Sequence, residues 1–311
     1  MKKILFTLCL AAALTGAQGQ IYIDSYRFGA PQDLLLLDSF PNAAGAYSLR
    51  KLDKDYGGNA ITVRRVNGDT SNIAFTVNYL DTVSLKSFCG TTSSDTCWVR
   101  TWFDQSGNTR NVRQTTNASQ PQILRGGVIF YQNGEPALRF DGVDDFLPGP
   151  TSNILTASNP ALSFFSVAQK SARTGTSNNA AALLAFGDLT PQRLYLIRAV
   201  TNELIRIYIE SNSATRFPTS ATNWSSSQFL YSHIDDGTNL NAYQNNTQVF
   251  TNETTTIGTF GADYGYNIGK TQDDATGHWI GAQQEMIIYL SSQSTNRTTI
   301  QNNINRFYSI Y

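Results

Sequence analysis

The stretch from Phe88 to Asn108, FCGTTSSDTCWVRTWFDQSGN, indicates the fold class. Its two cysteines, Cys89 and Cys97, bracket a short polar loop, and a pair this close in an exported chain predicts a disulfide. An alternating strand follows, and its periodicity predicts Trp98 and Trp102 on one face, as core residues. The sequence DQSG then ends the strand in a turn, because Asp, Ser and Gly favour chain reversal. These features are typical of an extracellular β-protein.

Residues 1–19 predict a secretory signal peptide. Lys2 and Lys3 form a basic start, an apolar run extends from Ile4 to Leu14, and small residues follow up to Gly19. The apolar run is too short to span a bilayer, and no later run is long enough for a membrane helix. Removal of the signal leaves two cysteines, an even number that suits an oxidising compartment. We therefore expect residues 20–311 to be soluble and secreted, either extracellular or periplasmic.

The composition argues against nucleic acid and suits sugars. Charged residues make up 15% of the chain, against about 25% in typical soluble domains. Lys+Arg and Asp+Glu balance at 23 each, so the chain lacks the excess of cations that nucleic acid binding needs. The 17 Phe, 15 Tyr and 4 Trp stand beside many amide and hydroxyl side chains, a mixture that fits sugar hydroxyls and C–H faces. An ordinary secreted β-protein surface explains the same composition equally well.

Short apolar or alternating segments, separated by turn sequences such as Asn133-Gly134 and Asp236-Gly237, occupy most of the chain. This pattern predicts one all-β domain over residues 20–311, built as two stacked antiparallel sheets. The strand candidates are 60–66, 137–140, 162–168, 182–186, 194–199, 204–209, 229–234, 240–244, 266–268 and 284–290.

Helical periodicity is confined to two places. A short helix is predicted over Val83 to Phe88, capped by Asp81 or Thr82. A C-terminal helix is predicted after a Ser294 cap, because apolar residues then recur at helical spacing. Those residues are Ile300, Ile304, Phe307 and Tyr308.

Several short motifs follow one another in a fixed order along the chain. They are Ala46–Arg50, Tyr56–Gly58, Val63–Arg65, Ser71–Ala74, the two cysteines and Asp104–Gly107. This order resembles the catalytic domain of the arabinofuranosidase B family, specifically over Ala46 to Gln114 and more loosely from Ala182 to Tyr308. The resemblance implies a retaining α-L-arabinofuranosidase on a concanavalin A-like β-sandwich, or jelly roll, with a disulfide at Cys89 and Cys97. Two later stretches, Phe140–Phe146 and Gly281–Tyr289, also resemble concanavalin A-like or laminin G-like modules.

The resemblance also implies catalytic positions. A retaining glycosidase needs two carboxyl groups about 5 Å apart, one a nucleophile and the other an acid/base. Asp273 matches the family's acid/base position, four residues after Gly269. The alternative is that Asp273 and Asp274 are surface residues of a loop before Gly277.

The nucleophile position is altered. The best match to the family's motif places Thr201 where the carboxylate should be, with Asn202 beside it, and both are predicted to line the sugar site. Glu203 lies two residues further on, so in a strand it shares the face of Thr201 and could supply the second carboxylate. The alternative is that Glu203 is a solvated turn residue. Whether the chain is an enzyme depends on this residue.

Aromatic and histidine residues complete the predicted site. Trp224 and Trp279 stand in polar surroundings and are predicted to stack on a sugar. His278, beside Trp279, is predicted either to contact the ligand or to be a surface residue at a strand start. Neither His278 nor His233, the second histidine, has a metal-ligand spacing around it. We predict no metal site from the histidines.

Three aspartates form the remaining candidate cluster. Asp141, Asp144 and Asp145 resemble a calcium-type set of oxygen ligands, although capping of the turn at Gly142 is the simpler interpretation. We therefore expect no cofactor, with a structural calcium ion as an unsupported option.

Two functions follow from the sequence. The first is a secreted carbohydrate-active protein that acts on or binds arabinofuranose-containing polysaccharide, with Asp273 and Glu203 as its carboxyl pair. The alternative is a non-catalytic, lectin-like glycan-binding or cell-surface adhesion module that keeps the sandwich without the chemistry. Either way, the expected partner is a glycan and not nucleic acid or a membrane.

Overall fold

The computed structural model describes residues 35–150, 154–155, 161–171, 181–189, 192–199, 203–210, 215–216, 218–254, 265–271 and 277–311. Residues 34–311 cluster into one compact unit. The predicted signal peptide, residues 1–19, lies outside the described residues, so that boundary stays a prediction.

Within the described residues, thirteen strands form one antiparallel sheet in the order β22-β21-β20-β14-β24-β12-β8-β6-β2-β3, with β1, β7 and β9 paired at its sides. The bounds are β1 Gly45–Ser48, β2 Ile61–Arg65, β3 Thr70–Ile73, β6 Thr96–Trp102, β7 Val112–Arg113, β8 Gln122–Arg125, β9 Val128–Ile129, β12 Leu138–Asp141, β14 Leu162–Lys170, β20 Gln228–Asp235, β21 Asn239–Gln244, β22 Thr247–Thr254 and β24 Ile280–Tyr289.

A smaller antiparallel sheet contains seven described strands, and two short hairpins stand apart from both sheets. The smaller sheet consists of β13 Leu147–Pro148, β15 Ala181–Leu189, β16 Gln192–Ala199, β17 Leu204–Glu210, β18 Thr215–Arg216, β19 Thr219–Asn223 and β23 Tyr266–Ile268. The hairpins are β4 Phe75–Thr76 with β5 Tyr79–Leu80, and β10 Tyr131–Gln132 with β11 Glu135–Pro136. The helices are α1 Leu36–Ser39, α2 Thr82–Cys89 and α3 Arg297–Tyr308, with a 3-10 turn at Asn117–Ser119.

The main core lies between the two sheets. Phe164 and Ile288 of the large sheet share one buried cluster with Ile207 and Ile268 of the smaller sheet. Alternate residues of the large sheet face the other way, where they are covered by α3. This arrangement confirms the predicted all-β fold of two antiparallel sheets with a C-terminal helix.

Both predicted helices are present. Asp81 caps α2, because its carboxylate accepts the backbone N–H of Ser84 at 2.9 Å. Helix α3 buries Ile300 and Ile304 as predicted, but it begins at Arg297, later than a cap at Ser294 would start it. No helix among the described residues has the length and apolar content needed to cross a membrane.

The predicted disulfide joins the end of α2 to β6. Cys89 and Cys97 are bonded, with their Cα atoms 5.8 Å apart. The DQSG turn is also structural: Asp104 accepts the backbone N–H of Ala46 at 2.9 Å, and Gln105 accepts that of Leu52 at 2.8 Å. Both side chains are buried, so the motif ties the end of β6 to the segment around β1.

The prediction that Trp98 and Trp102 share one face is wrong. Where β6 pairs with β2, Val99 lies opposite Val63 and Thr101 lies opposite Thr62, so Arg100 between them has no partner residue on β2. Strand β6 therefore carries a bulge of one residue. Trp102 is fully buried, whereas Trp98 is half-buried on the opposite face beside Arg64. A bulge shifts the alternation of every residue beyond it, which is why the two tryptophans separate.

A buried ion pair fastens α3 to the large sheet. Glu285 is fully buried and receives two hydrogen bonds from Arg50, Nε to Oε2 at 2.7 Å and Nη2 to Oε1 at 3.0 Å. Ser48 also donates to this carboxylate at 2.8 Å, and the Tyr308 hydroxyl donates at 3.2 Å. Arg50 in turn donates to Asn303 of α3 at 3.0 Å. Three chain segments, residues 48–50, β24 and α3, therefore meet at one carboxylate.

We expect Glu285→Gln to lower the free energy of unfolding by about 3–5 kcal/mol, because it leaves the Arg50 guanidinium charged and buried. Urea denaturation measures this loss. Asp69→Asn is the control, since it breaks the exposed Arg65–Asp69 pair and should cost less than about 1 kcal/mol. Equal losses in the two variants would contradict the assignment of Glu285 as the structural anchor.

Candidate functional site

Glu203 lies between β16 and β17 of the smaller sheet, beside the segment in which the chain crosses to the large sheet. It immediately precedes β17 of the smaller sheet, and its backbone carbonyl accepts the N–H of Trp224 at 2.9 Å. Trp224 in turn links β19 of the smaller sheet to β20 of the large one. Glu203 adopts a φ of +62°, a left-handed conformation that is uncommon for a residue with a side chain. The carboxylate is thus placed by local chain geometry and not by the regular alternation of a strand.

A buried lysine meets this glutamate. Lys170 is the last residue of β14, and its ammonium Nζ lies 2.8 Å from Oε2 of Glu203. The lysine side chain is 2% exposed, while the glutamate side chain is 30% exposed. Lys170 also donates to the carbonyl of Ser171 at 2.7 Å. Glu203 is therefore a partly exposed residue between two strands, as the alternative predicted, and it also contacts a buried lysine.

Two tryptophans pack beside this pair. The rings of Trp224 and Trp279 meet edge to face with centroids 5.6 Å apart, and Lys170 Nζ lies 6.0 Å from the ring of Trp279. Both tryptophans are buried, so the prediction that their ring faces are open to a sugar is wrong. Trp224 packs on Phe229, which follows it closely in the chain, and on Trp279, which is distant in sequence. We call Lys170, Glu203, Trp224 and Trp279 the corner.

The hairpin that carries Asp273 is anchored at the corner. Between β23 and β24, Trp279 donates its backbone N–H to the carbonyl of Gly269 at 2.8 Å, and Thr271 donates to Gly277 at 3.1 Å. Asp273 lies beyond this stem, outside the described residues, as do Asp274, Thr201 and Asn202. The predicted approach of Asp273 to Glu203 therefore stays a prediction.

The histidines are core residues. His278 is 3% exposed, with its ring 6.1 Å from that of Phe146, so the prediction of a surface histidine is wrong. His233 stacks on Phe164 at 4.8 Å between the sheets, and burial holds the pKa of His233 well below its usual value. His233 is therefore a neutral residue of the core.

The sequence predicted two alternative roles for Asp141, Asp144 and Asp145, a set of calcium ligands or a cap for the turn at Gly142. Carboxylate oxygens of Asp141, Asp144 and Asp145 lie within 4.8 Å of one another, a set that could hold a metal ion. Asp141 also caps the turn, accepting the N–H of Val143 at 2.8 Å, as the simpler interpretation predicted. Asp145 is buried, and burial together with the charges of Asp141 and Asp144 raises the pKa of Asp145 to about 8.

The fold is shared with arabinofuranosidases of known structure. A GH54 α-L-arabinofuranosidase soaked with a cyclic sulfate inhibitor aligns with a TM-score of 0.64 at 15% identity, over 84% of this chain and 62% of that one. An arabinofuranosidase complexed with arabinofuranosyl-α-1,2-xylobiose aligns with a TM-score of 0.62 at 16% identity, with the same coverage.

These similarities agree with the family resemblance of the sequence and confirm the expected sandwich. This chain spans about three fifths of the length of those proteins, 62% in each case. Identities of 15% and 16% show a common fold and leave the activity of this chain to be argued from its own residues. No protein-family model and no curated protein sequence matches the chain.

At the corner, we expect Glu203→Gln to destabilise the fold by about 3 kcal/mol, because it removes a carboxylate from the buried Lys170 ammonium. Lys170→Met should cost less, since Glu203 is partly exposed and can be hydrated. Urea denaturation of both variants and of the double variant gives the coupling free energy. A larger loss for Lys170→Met than for Glu203→Gln would contradict this account.

The aspartate cluster predicts a pH dependence. Because the pKa of Asp145 is about 8 in the fold and about 3.9 when unfolded, the native state holds a proton that the unfolded state releases between these values. The free energy of unfolding should therefore fall by up to about 1.4 kcal/mol per pH unit as pH rises from about 4 to 8. Asp145→Asn should remove this slope, and exposed Asp55→Asn should keep it. An unchanged slope in Asp145→Asn would refute the assignment.

Proposed function

We propose that this chain is a carbohydrate-active protein that recognises arabinofuranose-containing polysaccharide at the corner. The observation that carries the proposal is the position of Glu203, whose carboxylate lies 2.8 Å from Lys170 at the start of β17. This is the segment in which the family resemblance places the nucleophile. The hairpin stem that leads to Asp273 is fastened to the same corner through Trp279.

Hydrolysis of α-L-arabinofuranosides is the finer form of this proposal. A retaining reaction needs one carboxylate as nucleophile and a second carboxyl group as acid/base. Glu203 would attack the anomeric carbon while Asp273 gives its proton to the departing oxygen. Asp273 would then take a proton from water, and that water would cleave the ester bond to Glu203, which leaves both carboxyl groups as they began.

Glycan binding without hydrolysis is the second candidate. It is favoured by the same contact, because the Glu203 carboxylate is already engaged by a buried ammonium in this structure. It is also favoured by Thr201 at the family's nucleophile position. A lectin-like module would use this corner to orient a sugar and would need no second carboxylate.

Secretion is part of the proposal. It is supported by the signal-like residues 1–19 and by the Cys89–Cys97 disulfide, a bond typical of oxidising compartments. Intact-mass measurement of the exported protein should give a chain that begins near residue 20 and contains no free thiol. A full-length chain retained in the cytoplasm would contradict this.

Release of nitrophenol from 4-nitrophenyl α-L-arabinofuranoside tests the function. If the chain is an enzyme, Asp273→Asn and Glu203→Gln should each lower kcat by about 10²–10⁴-fold. Asp274→Asn, next to Asp273 in the same loop, is the matched control and should retain activity.

Affinity electrophoresis in arabinoxylan gels separates the two candidates. Retardation of the wild-type protein without hydrolysis would support the lectin-like form. Neither retardation nor hydrolysis would overturn the proposal. Hydrolysis that survives Asp273→Asn would show that other residues carry the chemistry.

A further inference from the structure

A row of side chains crosses β2, β6 and β8 on the side of the large sheet that faces away from the smaller sheet. Arg64 of β2 lies opposite Trp98 of β6, and Trp98 lies opposite Gln122 of β8. The strand neighbours Val63 and Val99 are fully buried in the core between the sheets. Because successive side chains point to opposite faces, the row points away from that core.

The row forms the floor of a cleft of about 440 Å³. This volume lies within the range of small-molecule sites, roughly 300–1,000 Å³. Besides the three residues of the row, the lining consists of Asn117, Ala118, Asp141 and Asp145. We call it the Trp98 cleft. It lies on the opposite face of the sheet from the corner tryptophans, which belong to the core between the sheets.

The floor of the cleft is held rigidly. The Arg64 guanidinium lies 4.5 Å from the centre of the Trp98 ring, which fixes the orientation of the indole. Arg64 also donates to Gln120 at 2.8 Å and to the carbonyl of Asn117 at 3.2 Å. Gln120 is buried and donates to the carbonyl of Gln114 at 2.9 Å. A binding surface with ordered side chains loses little entropy when a ligand arrives.

The polar groups of the cleft complement sugar hydroxyls. Asp141 is exposed and offers carboxylate acceptors, while Gln122 offers both an amide donor and an acceptor. Asp145 lines the cleft beside Asp141 and places a further carboxyl group there. The cleft thus presents the Arg64 guanidinium, the Gln122 amide and carboxyl oxygens, which can serve both the donor and the acceptor side of a hydroxyl group. A neutral ligand with many hydroxyls fits this arrangement better than an ion does.

We propose that the Trp98 cleft binds a neutral saccharide, with the indole of Trp98 against a sugar C–H face and Asp141 and Gln122 on its hydroxyls. This proposal does not depend on whether the corner binds or hydrolyses a sugar. A polysaccharide chain that reaches both the corner and the Trp98 cleft would be held at a second point, which raises its effective concentration at the first.

The four tryptophans allow the two sites to be followed separately. In ¹H–¹⁵N spectra, titration with xylotriose, cellotriose or mannotriose should shift the Trp98 indole resonance saturably for at least one sugar, and leave Trp224 and Trp279 unmoved. Trp98→Phe assigns that resonance by its disappearance. If 4-nitrophenyl α-L-arabinofuranoside shifts Trp224 and Trp279 but no trisaccharide shifts Trp98, the cleft is refuted while the corner stands.

Variants then test the contacts by calorimetry with the sugar that shifts Trp98. Asp141→Asn keeps an oxygen to cap the turn and should weaken binding about tenfold, as loss of a charged hydrogen bond does. Gln122→Ala should weaken it less. Tyr131→Ala removes an exposed aromatic outside the cleft and should change nothing. Unchanged affinity in both cleft variants, with melting temperatures preserved, would overturn the proposal.

Discussion

The buried Glu285 carboxylate is the constraint on which the rest of the fold depends. A charge without access to water must be matched by hydrogen bonds, and Arg50, Ser48 and Tyr308 supply them. Burial and Glu285 raise the pKa of Tyr308 well above its usual value, so its hydroxyl stays a donor. Glu285 belongs to β24, which pairs with β1, β12 and β14. Its contacts thus fix the register of the strands that end at Lys170 and begin after Trp279.

Periodicity and turn chemistry predicted much of the fold, because they depend on neighbouring residues. The alternating segments, the Asp81 cap and the apolar spacing of α3 all carry their signal locally. The separation of Trp98 from Trp102 could not be predicted in this way, because the bulge at Arg100 is defined by the partner strand β2. Burial of Trp224 depends in part on a similar long-range contact, since Trp279, which packs against it edge to face, is distant in sequence.

The candidate site was predicted only in part. Glu203 was found through its spacing from Thr201, yet its left-handed φ and its contact with Lys170 depend on the crossing between sheets. Lys170 was missed, although one signal was present: a lysine stands two residues after the apolar strand candidate 162–168. The most specific part of the family resemblance concerns folding, because Asp104 and Gln105 of DQSG bond to backbone groups. That motif therefore says little about catalysis.

The bulge in β6 also matters for how related chains could diverge. Because it reverses which side of the strand a residue occupies, insertion or deletion of a single codon between Trp98 and Trp102, with the bulge kept, would bring the two tryptophans to one face without any amino-acid replacement. A surface could in this way gain or lose an aromatic ring while every aligned position kept its residue. Substitution patterns would not record such an event, whereas gap positions would.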